Sequence, residues 1–151
     1  MNKPIDDKTL DIYLQSVPLH ALINAHVVKQ DVPNKSSIVA FTTSKQHLTP
    51  YGGLNGGIVY VAFELAHLVA CIPQCDPVTE RPSTISHHVQ MIGNVHGEGH
   101  KVYVRSTMIK RGKSVAFFEG KAWTEDADGK ETLLAKCTTV KAIIQIKQSK
   151  L

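Results

Sequence analysis

LTPYGGLNGGIVYVAFELAHLVACIPQC, residues 48–75, is the stretch whose reading decides the fold. A glycine-rich turn, Tyr51-Gly52-Gly53-Leu54-Asn55-Gly56-Gly57, runs into an apolar segment at 58–72 that Pro73 closes. Asn55 suits the N-cap, because its side chain accepts a hydrogen bond from a first-turn N–H that lacks a helical partner. Pro73 marks the stop, since proline disfavours helical backbone in the residue before it. Between these limits the helix is apolar nearly all round, so other elements must bury it. Glu64 and His67 break the pattern, three residues apart and on one face. A carboxylate inside an apolar helix is costly to bury unless it is paired, hydrated or used. Glu64 is therefore either satisfied at a subunit interface or a working group.

The glycines ahead of the helix also have two readings. Free first-turn N–H groups and the helix dipole favour negative charge there, such as a phosphate or the developing oxyanion of an acyl group. A tight turn needing positive φ calls for glycine equally well.

Outward from this segment, residues 6–24 carry a helical pattern: Leu10, Tyr13, Leu14 and Val17 recur at three- and four-residue spacing, and Pro18 should end or kink the helix. A second short turn at 19–23 can follow. Residues 25–30 and 36–43 read as two strands joined by a Pro/Asn turn. Beyond the prolines at 73–82 come four long strands, at 83–95, 101–110, 114–125 and 132–146. Glycines at 97, 99, 112 and 129 mark the turns between them, so consecutive strands are expected to pair antiparallel. One buried helix with an antiparallel sheet is an α+β domain. The tail at 147–151 is polar and is expected to fray.

Bulk properties bound the function. The 151 residues fit one domain, 1–151, with 42% apolar and 20% charged residues. A net charge of +4 suits an anionic ligand, but no dense Lys/Arg face argues for nucleic acid. Cys71, Cys75 and Cys137 are odd in number and form no C-x-x-C pair, which speaks against a disulfide framework or a zinc site. His87 and His88 are strand neighbours on opposite faces and cannot chelate one ion together; metal is not expected. The N-terminus has no apolar signal segment, and the apolar run is too short and too interrupted to span a membrane. The expected location is the cytoplasm.

Gly52-Gly53-Leu54-Asn55-Gly56-Gly57 followed by Glu64, eight residues after Gly56 (64 − 56), resembles hotdog-fold acyl-CoA thioesterases of the 4-hydroxybenzoyl-CoA thioesterase/PaaI-like branch. Lys110-Arg111-Gly112-Lys113-Ser114-Val115-Ala116-Phe117 is similar to that family's turn along the pantetheine arm. Together the two motifs cover roughly residues 36–141. Asn55 stands where the family usually has His, and Thr49 where many members have Asn or Gln. The resemblance implies a hotdog fold: an antiparallel sheet wrapped around one long helix, with an extra N-terminal helix. It implies hydrolysis of an acyl-CoA or acyl-carrier thioester, with no cofactor. The N–H groups of Gly56 and Gly57 would hold the oxyanion, and Glu64 would act as base or nucleophile. Asn55 and Thr49 would position carbonyl or water. Lys110, Arg111, Gly112 and Lys113 would lie along CoA, with His67 as a substrate contact. It further implies a homodimer with composite sites that pairs into a tetramer. Two alternatives stay open: a non-catalytic acyl-CoA-binding hotdog protein, and a hotdog hydratase or dehydratase, although the Gly-His-Phe-Pro type loop of the dehydratases is absent.

Overall fold

The computed structural model describes residues 5–147, so the tail expected to fray lies, at 148–151, outside the described residues. Helix α1 (Asp7–Gln15) starts at Asp6, whose carboxylate accepts from the Thr9 N–H at 3.0 Å. These bonds hold the Asp6 carboxyl below the usual range. Pro18 breaks the helix rather than kinking it. It opens a separate helix α2 (Pro18–Ile23), at a first position where its missing N–H costs nothing. Leu10, Leu14 and Ile23 bury these helices against the main core.

Strands β1 (His26–Asp31) and β2 (Ser36–Thr42) form the expected hairpin. The glycine-rich turn then closes tightly. Gly52 N–H donates to the Thr49 carbonyl at 2.9 Å, and Thr49 N–H to the Gly53 carbonyl at 2.8 Å. Gly52 sits at φ +84°, a conformation that L side chains rarely adopt. Helix α3 (Gly56–Cys71) follows, extended by a 3₁₀ turn (Ile72–Gln74) around Pro73. That extension gives Gly56–Gln74 the length and mean hydropathy, 1.6, of a membrane span, contrary to the expectation that the run is too short; 56% of the span is nevertheless buried inside the fold, as for a core helix.

Strands β3 (Glu80–Met91), β4 (Lys101–Arg111), β5 (Val115–Glu125) and β6 (Glu131–Gln145) complete one antiparallel sheet in the order β1-β2-β4-β5-β6-β3. The pairing corrects one expectation. The glycines at 97 and 99 do not form a β3–β4 hairpin, because β3 pairs with β6 and β4 with β2. The connection instead crosses past the helix entrance. Gly97 N–H donates to the Gly52 carbonyl, and Gly99 N–H to that of Thr43. Strand β3 also begins earlier than expected, at Glu80, and takes in Pro82. It is an edge strand, where a missing N–H is tolerated.

The sheet curves around α3, which buries Val59, Ala62, Phe63, Leu65, Ala66 and Val69 against it. Contact is closest at Gly120 of β5. A Cβ there would stand 2.7 Å from the Phe63 ring and 3.1 Å from the Arg105 carbonyl oxygen. Gly120→Ala should therefore destabilise the fold by about 1–3 kcal/mol through overpacking, read from urea unfolding. A neutral result would contradict this packing.

Candidate active site

Glu64 lies midway along α3 and reaches towards β3 and β6. Its Oε2 accepts from the Lys141 ammonium at 3.0 Å and from the Thr84 hydroxyl at 2.7 Å. Lys141 also donates to Thr84, at 2.6 Å. Only 4% of the Lys141 side chain is exposed, so its charge is balanced inside the fold by Glu64. Oε1 faces the other way. It lies 3.3 Å from Nδ1 of His87, yet it is buried without a hydrogen-bond partner among the described residues.

Backbone geometry brings these groups together. Thr84 and His87 are three apart and would face opposite sides of a regular strand. The β3–β6 register shifts between Thr84 and Ser86. This bulge turns both side chains towards α3, opposite Lys141 and Thr139 of β6.

Behind His87 the polar network continues into the core. His87 Nδ1 is 2.5 Å from the Thr139 hydroxyl, which is 2.9 Å from Nε2 of His67. His67 Nδ1 meets the Ser106 hydroxyl at 2.6 Å. Burial, with Lys141 and His87 adding to it, holds the His67 imidazole well below its ordinary range. Burial also lowers His87, against the opposing pull of Glu64. Burial pushes the Cys137 thiol up to about 11.

Donor atoms of His67, His87 and Cys137 lie within 4.8 Å of one another. The Thr139 hydroxyl stands between them, 2.9 Å, 2.5 Å and 3.1 Å from the three, and fills the place an ion would take.

The structure redistributes the other expected site residues. Asn55 caps α3 and accepts from the Gly57 N–H at 2.8 Å. Gly57 is therefore corrected as a free oxyanion donor, because its N–H is already bonded. The Gly56 N–H has no partner among the described residues. Thr49 is half-buried at the mouth of the turn, its backbone engaged with Gly52 and Gly53. His67 is corrected as a substrate contact: it is 0% exposed and hydrogen-bonded within the core. Arg111, expected along CoA, is engaged within the fold. Its guanidinium pairs with Glu80 at 2.9 Å and also donates to the Gly112 carbonyl. Gly112 makes the tight turn, its N–H donating to Val115 at 2.7 Å. Lys110 and Lys113 are exposed beside it.

A trough of about 520 Å³ opens on the other face of the sheet, lined by His88, Arg105, Lys121 and Lys136 among others. It faces away from the Glu64 carboxylate.

No family model matches the chain, and no curated protein matches it in sequence. Solved structures do match it. One is a thioesterase of Haemophilus influenzae, at TM-score 0.81 and 13% identity over 99% of this chain and 98% of that one. A mutant thioesterase of Pseudomonas aeruginosa aligns at TM-score 0.79 and 16% identity, over 95% and 97%. A hypothetical thioesterase protein of Streptococcus pneumoniae, solved with coenzyme A, aligns at TM-score 0.72 and 12% identity, over 95% and 100%. The chain has the hotdog fold. The phenylacetic acid degradation protein PaaI of Thermus thermophilus, in mutant form, is another such neighbour, at TM-score 0.70 and 19% identity over 83% of this chain and 98% of that one. At these identities the likeness establishes the fold; the chemistry must come from the residues.

The hotdog helix starts on its cap. Asn55→Ala should cost about 1 kcal/mol in thermal or urea unfolding, and Asn55→Asp should restore most of it. Equal stability of both variants would remove Asn55 from the cap role.

Proposed function

We propose that this protein is a cytoplasmic thioesterase that hydrolyses an acyl-CoA or acyl-carrier thioester to free acid and thiol. One observation carries the reading: on the central hotdog helix, Glu64 keeps a buried oxygen without a hydrogen-bond partner while its other oxygen is held by Lys141 and Thr84. A carboxylate fixed at one oxygen keeps its orientation. In this role Glu64 is the general base on water; Oε1 itself is sealed, so water reaches the carboxylate from the side on which 25% of the side chain stays exposed. The unpartnered Gly56 N–H is the donor for the carbonyl oxygen as charge develops on it. Lys110 and Lys113 are the cations for the CoA phosphates. The coenzyme A in the Streptococcus pneumoniae neighbour supports a CoA thioester as substrate.

Helix geometry makes this site composite. Eight residues rise about 12 Å, beyond the reach of a base that must contact water beside the carbonyl carbon. Glu64 therefore serves Gly56 of a second copy across a two-fold axis. The open edge of β3, which runs for 12 residues with Ile85 62% and Met91 40% exposed, supports pairing there. An unpaired edge of this length is otherwise an aggregation template. The dimer then pairs into a tetramer.

Lys141 also favours a second reading, a non-catalytic acyl-CoA-binding protein, because its buried ammonium engages Oε2 in a structural ion pair. Thiol release from a panel of acyl-CoAs separates the two. Turnover that Glu64→Gln lowers at least about 100-fold supports the thioesterase. Calorimetric binding of CoA without thiol release identifies the binding protein. Neither binding nor release contradicts both.

A further inference from the structure

The inner side of Glu64 shows how its activity is set, an inference that rests on the thioesterase reading of the same site. His87 Nε2 lies 3.3 Å from the Tyr60 carbonyl oxygen, which can only accept, so Nε2 keeps its proton. Neutral His87 then has a bare Nδ1, which accepts from the Thr139 hydroxyl. Thr139 in turn accepts from Nε2–H of His67, and His67 Nδ1 accepts from Ser106. Every hydrogen bond in this chain runs towards His87 Nδ1, whose in-plane direction is taken by Thr139, and Glu64 Oε1 stands 3.3 Å to one side with no hydrogen-bond partner among the described residues. Adding one proton to His87 changes that, because an imidazolium charge then stands 3.3 Å from Oε1.

We propose that His87 is the positioning residue that sets whether Glu64 is free to act. Neutral, it leaves Oε1 without a charged partner on that side. Protonated, it pairs with Oε1 as a cation 3.3 Å away and holds the carboxylate in an ion pair. The Thr139–His67–Ser106 chain holds His87 in the tautomer that makes this switch. The groups facing His87 are Glu64, His67 and the edge-on Tyr60 ring from α3, and Cys137, Thr139 and Lys141 from β6. Glu64 favours the proton and Lys141 opposes it; burial opposes it most and puts the transition below the ordinary histidine value of 6.5. Activity is accordingly full where His87 is neutral and is lost as pH falls through its transition.

Two measurements decide this. The first is the pH profile of kcat/KM for acyl-CoA hydrolysis, in wild type and in His87→Leu, with unfolding checked at each pH. The acid limb should move down by at least about one pH unit in the variant. An unmoved limb in folded variant overturns the proposal. The second needs no activity: histidine-ring ¹⁵N NMR across pH, in wild type, Glu64→Gln and Thr139→Val. Removing the Glu64 charge should lower the His87 midpoint, and Thr139→Val should change its tautomer. A His87 titration indifferent to Glu64→Gln overturns the pairing, even if His87→Leu does not fold. If no acyl-CoA is hydrolysed at any pH, the thioesterase reading fails, and the titration alone upholds or overturns the pair.

Discussion

Everything around the site follows from one carboxylate placed inside an apolar helix. Burial of Glu64 without partners would cost more than a marginal fold can bear. The fold answers with Lys141 and Thr84 at one oxygen and His87 beside the other. These partners belong to β3 and β6, which the sheet order makes neighbours. The β3–β6 pairing, the bulge in β3 and the inward face of β6 are all conditions for keeping a charge in the core. Without the bulge, either Thr84 or His87 would point away from α3.

The same arrangement separates two tasks along the helix. Its N-terminus offers a polar, partly open rim, with Asn55 satisfying Gly57 and the Gly56 N–H left over. Its middle carries the carboxylate. Because α3 is regular from Gly56 to Cys71, the two tasks cannot meet on one carbonyl within one chain. The long uncovered edge of β3 and the partly exposed Tyr60 and Met91 beside it are the surface on which a second copy would bring them together.

Much of this was legible in the sequence, for physical reasons. The central helix shows in its apolar run between an Asn cap and a proline; the break at Pro18 and the hairpin of β1 and β2 follow from local turn chemistry. Glu64 stands out because a lone carboxylate on an apolar helix is conspicuous. Its partners do not. Thr84, His87, Thr139 and Lys141 look like ordinary alternating strand residues, and they lie 20 to 77 positions from the helix residues they bond. That His87 and His88 face opposite sides follows from strand geometry; which of them faces in depends on a bulge that no turn residue announces. The β3–β6 pairing was hidden because glycines at 97 and 99 signal a change of direction without saying how far the chain travels. The occupied Gly57 N–H, the Arg111–Glu80 pair and the buried His67 ring are likewise three-dimensional facts.

The central claim is that Glu64 of one copy serves the helix end of another. It is tested most directly by mixing two inactive variants. Glu64→Ala removes the base, and Gly56→Pro removes the first-turn N–H at a position where proline is tolerated. Co-refolded in equal amounts, half of the dimers are mixed, and each mixed dimer holds one site with both groups intact. Thiol release should return to roughly a quarter of the wild-type rate if the sites act independently. Verified mixed dimers that stay inactive, beside a wild type that turns over, would contradict the shared site and return the chemistry to a single chain.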